Sequence, residues 1–302
     1  MIKSIKSIKS IKSIKSIKSI AIFSIIFTIL VFACITPASS GTYSITQSSK
    51  YSISTDGTIL KDVLPIHADL SDWSNPDLDG LKKTMNAANW KLKAHYGSNE
   101  SSMKVFQEEI DKADIHFHAG HGLNIPFIAG GHMELKNHPL PGNAVNANDV
   151  KGKWNHCKWF LIHSCHVLED KNWANVLKGS NTHGILGFGS TTYTTGKFLT
   201  AVAEKITNNQ TIAKAWEQTS YDQLNKINDN IIARSFFKNI DQYKNDKLNK
   251  PSQANHEDIV MCDKKMGYGL RGEQPTECIS LKTGIKTKFY PETTSIKPKQ
   301  EL

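Results

Sequence analysis

Two short apolar runs, Asp114 to Gly122 (DIHFHAGHG) and Lys158 to Cys165 (KWFLIHSC), constrain this chain more than any other feature. Each has strand character and stops abruptly at a reactive residue, the first at His121-Gly122 and the second at Ser164-Cys165. In α/β sheets, ligands and chemistry collect at the carboxyl ends of strands. Two strands ending in His and Cys therefore predict a dyad assembled by the sheet.

The order of elements around them agrees. Val63 to Leu70 reads as a strand, and Asn75-Pro76 breaks it. Leu78, Leu81, Met85 and Ala88 recur at helical spacing and predict a helix from about Asp77 to Asn89. Trp90 to Tyr96 alternates with period two, Met103, Phe106 and Ile110 mark a second helix ending near Lys112, and a strand follows over Asp114 to Ala119. Strand, helix, strand, helix, strand is the pattern of a parallel sheet with right-handed crossovers.

Gly122 to Val150 lacks periodicity and reads as a long functional loop or lid. Lys158 to Cys165 is a fourth strand, Trp173 to Leu177 a short helix, and Gly184 to Ser190 (GILGFGS) a buried fifth strand whose glycines permit close approach. Phe198 to Ile206 is helical, and Ile212 to Phe237 reads as one or two long helices. Asp241 to His256 is a polar surface excursion, Gly267 to Tyr290 is β-like, and Pro291 to Leu302 reads as a tail.

The N-terminus is of another kind. Six Ile-Lys-Ser repeats precede an uncharged apolar run of 16 residues, Ile20 to Ile35, and a small-residue exit to Gly41. A basic region, an apolar core and small residues describe an export signal cleaved after Ser40, or an uncleaved membrane anchor. The bulk of the chain then faces outward, secreted or held at the cell surface. Six of the nine net positive charges lie in residues 1–40, so the rest carries only +3. With no basic patch interleaved with aromatics, nucleic acid is not an expected partner.

Export makes the cysteines informative, because disulfides form in oxidising compartments. Cys157 and Cys165 are eight residues apart on one predicted strand, roughly 26 Å at ~3.3 Å per residue. They cannot bridge. Cys262 and Cys278 flank a turn-rich segment and can pair, which leaves Cys165 a free thiol.

A thiol attacks carbonyl carbon as thiolate, and a nearby imidazole assists by taking its proton or protonating the leaving group. Gly122 brings a bare backbone N–H toward a developing oxyanion, and the Cys165 N–H supplies a second donor. An apolar strand ending in His-Gly, followed 44 residues after the His by a strand ending in Ser-Cys, resembles the caspase, legumain, gingipain and clostripain clan of cysteine peptidases. The segments HADLSDW, FHAGHG, SCHVL and HGILGF further resemble an uncharacterised exported branch of caspase-like proteins. The resemblance covers roughly residues 60–235.

What it implies is an α/β, caspase-like three-layer sandwich with a mostly parallel central sheet, plus a C-terminal β-like extension. The domain plan is residues 1–40 export signal or anchor, 41–60 linker or propeptide, 61–240 caspase-like domain, and 241–302 extension and tail. The implied activity is endopeptidase cleavage of a protein or peptide through a thioester, with no cofactor. Cys165 is then the nucleophile, His121 the general acid/base, and the Gly122 and Cys165 amides the oxyanion hole.

Two other classes are open. His116-x-His118-x-x-His121 is similar to the metal-binding motif of metallo-β-lactamase-like hydrolases, although Gly120 stands where that motif has an aspartate. A zinc-dependent hydrolase would use His116, His118 and His121. A catalytically inactive caspase-like protein or cell-surface adhesion protein is the third class, with sequons at Asn99 and Asn209.

Overall fold

In a computed structural model, the residues described are 41–48, 71–97, 100–120, 122–125, 128–134, 144–193, 195–227, 230–253, 256–267 and 273–291. The N-terminal signal or anchor, the strand expected over 63–70, His121 and the final eleven residues lie outside them.

The first described element is a correction. Residues 41–60 read as a linker or propeptide, with at most a weak strand pair over Thr42 to Thr58, yet Gly41–Ser48 is strand β1, at an inner position of the main sheet. Its alternation is concealed by polarity. Tyr43 and Ile45 enter one apolar layer, while Ser44 and Thr46, equally buried, face two buried histidines on the other side.

Helix α1 spans Ser71–Ala87 and carries Pro76 inside it rather than ending there. Leu78, Leu81 and Met85 form its buried stripe. Strand β2 (Trp90–Tyr96) follows, then the helical turns Val105–Glu109 and Ile110–Lys112, and then β3 (Ile115–Gly120). The stretch read as an aperiodic loop holds β4 (Gly122–Ile125), β5 (Ile128–Glu134) and β6 (Ala144–Val145), which pair antiparallel as a small second sheet. The short helix α2 (Ala147–Val150) is started by a capping box between Asn146 and Asp149.

The middle of the chain supplies β7 (Trp159–His163), a tight helical turn Lys171–Val176 and β8 (Gly184–Phe188). Helix α3 (Phe198–Thr207) has no cap from its own N-terminal residue. Asp77 of α1 supplies it, accepting the Leu199 and Thr200 amides at 2.9 and 2.8 Å. A Cβ on Gly80 would collide with the Thr200 side chain, so the two helices cross closely only because that residue is glycine.

Helix α4 covers Ile212–Leu224 and stops there. Residues 231–237 read as a continuation of the helix but form β9 (Ile231–Phe237), antiparallel to β8. The segment is rich in β-branched and aromatic residues and is held on both edges by neighbouring strands, so pairing overrides its apolar likeness to the helix before it. Helix α5 (Ile240–Asn245), β10 (Val260–Met266), β11 (Thr276–Ser280) and β12 (Lys286–Phe289) complete the chain.

The main sheet has nine strands in the order β12-β11-β10-β9-β8-β7-β3-β1-β2. From β8 to β2 the neighbours are parallel, whereas every pairing from β8 to β12 is antiparallel. The expected mostly parallel sheet is therefore only half parallel, and the C-terminal extension is continuous with it. From β10 to β12 the strands follow one another in sequence as antiparallel neighbours, which need no crossover helix.

Apolar layers cover both faces. Helices α1, α3 and α4 bury Leu81, Val202 and Trp216 against Ile45, Phe117 and Leu161. On the other face Phe106, Trp154 and Trp173 cover Phe160 and Ile162. Strand β7 is buried on both sides, which is why WFLIH is a continuous apolar run rather than an alternating one. No helix among the described residues is long and apolar enough to cross a membrane.

Candidate active site

Strands β3 and β7 pair in parallel, with Ala119 opposite His163, so their carboxyl ends emerge side by side. Beyond them Gly122 and Cys165 are in direct contact. A Cβ built on Gly122 would overlap the Cys165 carbonyl oxygen and lie 2.6 Å from its carbonyl carbon and 2.9 Å from its amide nitrogen. Only glycine allows this approach. The two halves of the sequence motif, 43 positions apart, thus meet backbone to backbone. His121, covalently adjacent to Gly122, lies outside the described residues.

Cys165 sits half-buried in the turn that leaves β7. Its Sγ donates to the Thr192 carbonyl at 3.3 Å and accepts from the Thr192 amide at 3.4 Å. Burial pushes the thiol above its ordinary range, against the hydrogen bonding with Thr192, which pulls it down. The resting sulfur is therefore a thiol and needs a base at the moment of attack.

The turn itself is rigidly tied. His166 adopts a left-handed conformation (φ 57°), donates its amide to Ser190 O at 2.9 Å, and places its ring between Glu169 Oε2 (3.0 Å) and Thr191 Oγ1 (2.9 Å). Arg234 of β9 grips Asp263 with two hydrogen bonds, at 2.6 and 2.7 Å, and donates to Leu168 O at 3.2 Å. A Cβ on Gly187 would press Leu168 at 3.0 Å, so this glycine lets the turn after β7 settle onto β8. Strand β5 of the small sheet also lies against this turn. Ser164 Oγ and Thr192 Oγ1, which flank the thiol in sequence and in space, are buried with no hydrogen-bond partner among the described residues.

The segment 190–193 is the part of the site that the sequence reading missed. Its signal was a polar run, STTY, directly after a buried strand. It supplies both hydrogen bonds to Cys165 and the Tyr193 carbonyl, 3.3 Å from His163 Nε2. The His163 ring stacks on Phe198 at 4.3 Å.

His116 and His118 are structural. Both lie on the face of β3 that points away from α1, and both are buried. Ser44 Oγ lies 2.8 Å from His116 Nδ1, and Thr46 Oγ1 lies 3.0 Å from His116 Nε2 and 2.8 Å from His118 Nδ1. Both ring nitrogens of His116 are thus engaged by hydroxyls of β1, leaving it no lone pair for a metal. Among the described residues no three His, Cys, Asp or Glu side chains gather as a metal site.

Burial drives His116 well below the usual imidazole range and His118 down to about 3. The unfolded chain protonates these rings below about pH 6.5 while the folded chain does not, so stability falls as pH drops from 6.5 toward 3. His118 contributes a loss of about 1.4 kcal/mol per pH unit in that window, and His116 works in the same direction. Glu217 works in the opposite sense, since burial raises it to about 7. With His116, His118 and the likewise lowered His95 and His163 against one carboxyl, denaturation midpoints in urea should decline from pH 6.5 to 4.5; a flat profile would show that the rings are not held neutral.

Cys262 and Cys278, directly opposed on β10 and β11, are joined as a disulfide. Cys157 is free and buried, with its Sγ donating to Trp159 O at 3.3 Å.

A family model described as a domain of unknown function, DUF6345, matches residues 70–261. The chain belongs to this family. The matched span includes β3, the small sheet, β7 and the turn carrying Cys165, so the candidate site lies wholly within the DUF6345 domain. The search of curated proteins finds no match. Among solved structures, the chain is similar to the inactive zymogen of a C11 protease from Parabacteroides distasonis, with a TM-score of 0.38 and 12% identity. That match covers 65% of this chain and 61% of the protease, so it spans about three fifths of the protease's length.

Proposed function

We propose that this DUF6345 protein is a cysteine endopeptidase in which Cys165 is the nucleophile and His121 the general acid/base. The observation that carries the reading is the contact of Gly122 with the Cys165 backbone at the carboxyl ends of β3 and β7. It brings the residue bonded to His121 against the residue bearing the thiol. As Sγ attacks the scissile carbonyl carbon, its proton passes to the His121 imidazole and a C–S bond forms. The oxyanion is held by the Gly122 and Cys165 amides. His121 then protonates the leaving amine, the C–N bond breaks, and water hydrolyses the thioester.

The thiol rests on Thr192, so the 190–193 segment shifts to admit substrate. The basic and apolar N-terminus and the Cys262–Cys278 disulfide support a location outside the cytoplasm as part of this reading. Cleavage of fluorescent casein by the full chain tests the activity. Prior treatment with iodoacetamide should abolish cleavage and EDTA should leave it unchanged; cleavage that survives alkylation, or that EDTA removes, contradicts the proposal.

A further inference from the structure

At the opposite end of the main sheet from Cys165, three basic residues stand in a row across neighbouring strands. The His183 amide donates to Lys158 O at 2.8 Å, and the Lys238 amide donates to His183 O at 2.9 Å. Lys158 precedes β7, His183 precedes β8 and Lys238 follows β9, so their spacing is that of adjacent strands, ~4.8 Å. All three line one cavity of about 470 Å³, together with Asn155, Asn181 and Gln253.

The histidine of the row is oriented by a buried carboxylate. Asp246 is wholly inaccessible; its Oδ2 accepts from His183 Nδ1 at 2.8 Å and from Trp159 Nε1 at 2.8 Å, and its Oδ1 accepts from the Ser252 amide at 2.7 Å. A carboxylate only accepts, so the His183 proton sits on Nδ1 and Nε2 is left for the cavity.

The charges around the cavity favour an anion. Lys238 donates to Ser180 O, and the Lys158 ammonium has no partner among the described residues. The acid on the wall, Asp114, is occupied by the Thr42 amide and hydroxyl at 2.8 and 2.9 Å, with His156 Nε2 at 3.7 Å.

From this arrangement we infer that the cavity is a binding site for a phosphate-type oxyanion, free or carried as a monoester on a small polar molecule. Lys158 and Lys238 supply charge, the Asn155 and Asn181 amides donors, and His183 Nε2 an acceptor for a protonated phosphate oxygen. The site is separate from the Cys165 site and does not depend on peptidase activity.

Calorimetric titration of the full-length protein with inorganic phosphate, at fixed ionic strength in chloride, tests it. Saturable binding at one site per chain is expected, and Lys158→Met should weaken it at least about tenfold. Asn181→Ala, at an exposed position, is the second variant should the first perturb folding, and it should weaken binding in the same direction. Glycerol phosphate distinguishes the sources: tighter binding than inorganic phosphate assigns the site to a monoester, and weaker binding to the free anion. Absence of saturable binding, or affinity unchanged in both variants, overturns the inference.

Discussion

Replacing Gly122 with alanine should silence the Cys165 site and destabilise the domain. The added methyl would fall on the Cys165 carbonyl oxygen and within 2.9 Å of its amide nitrogen. The obstacle is backbone, which cannot swing aside as a side chain can. Either β4 moves away or the turn after β7 shifts, and that turn is anchored by His166 to Ser190 and by Arg234 to Leu168. Overpacking of this kind costs about 1–3 kcal/mol, and a backbone collision belongs at the upper end. Because a displacement of ~1 Å in reacting groups costs about 100-fold in rate, casein cleavage should fall at least that far. A Gly122→Ala protein with normal stability and normal cleavage would show that the two strand ends are not in contact.

The second large effect is expected at Asp246, which holds the amino end of the sheet. Asp246→Ala removes the acceptor of the buried Trp159 Nε1 and of the partly exposed His183 Nδ1. Leaving a buried donor such as Trp159 Nε1 unsatisfied costs about 1–3 kcal/mol. Asp246→Asn should lose less, because the amide oxygen still accepts while its NH2 turns toward a donor. Urea denaturation measures both. An alanine variant within about 1 kcal/mol of the parent would mean that water satisfies these donors and that the cluster is not sealed.

How far the sequence leads depends on which force shapes each segment. Strands β3 and β7 and their reactive ends are legible because apolar runs buried on both faces can be recognised locally. So is helix α1, from Leu78, Leu81 and Met85, although Pro76 conceals its first turns. Strand β1 is not, because Ser44 and Thr46 are there to bond His116 and His118 and look like linker residues until those partners are known. Strand β9 is hidden for the converse reason: IIARSFF is apolar enough to continue α4, and only pairing with β8 and β10 makes it a strand. Lys264 is buried inside β10 through its bonds to Glu273 and Gln274, so that strand lacks an apolar signature.

At the site, the same distinction holds. The nearness of Gly122 to Cys165 follows from strand order, but the grip of Thr192 on the thiol comes from a loop after the next strand and has no local mark. The histidines are instructive in the same way. His116, His118 and His121 have ligand-like spacing, yet the hydroxyls of β1, far away in sequence, occupy the first two.

The most direct test of the Cys165 and His121 pairing is the rate of iodoacetamide labelling at Cys165, followed by intact mass and peptide mapping from pH 5 to 9 in the full chain and in His121→Ala. The pairing predicts a single fast adduct at Cys165, with Cys157 protected by burial, and a markedly slower rate in His121→Ala. Equal rates in the two proteins, or a Cys165 that does not label, would contradict it.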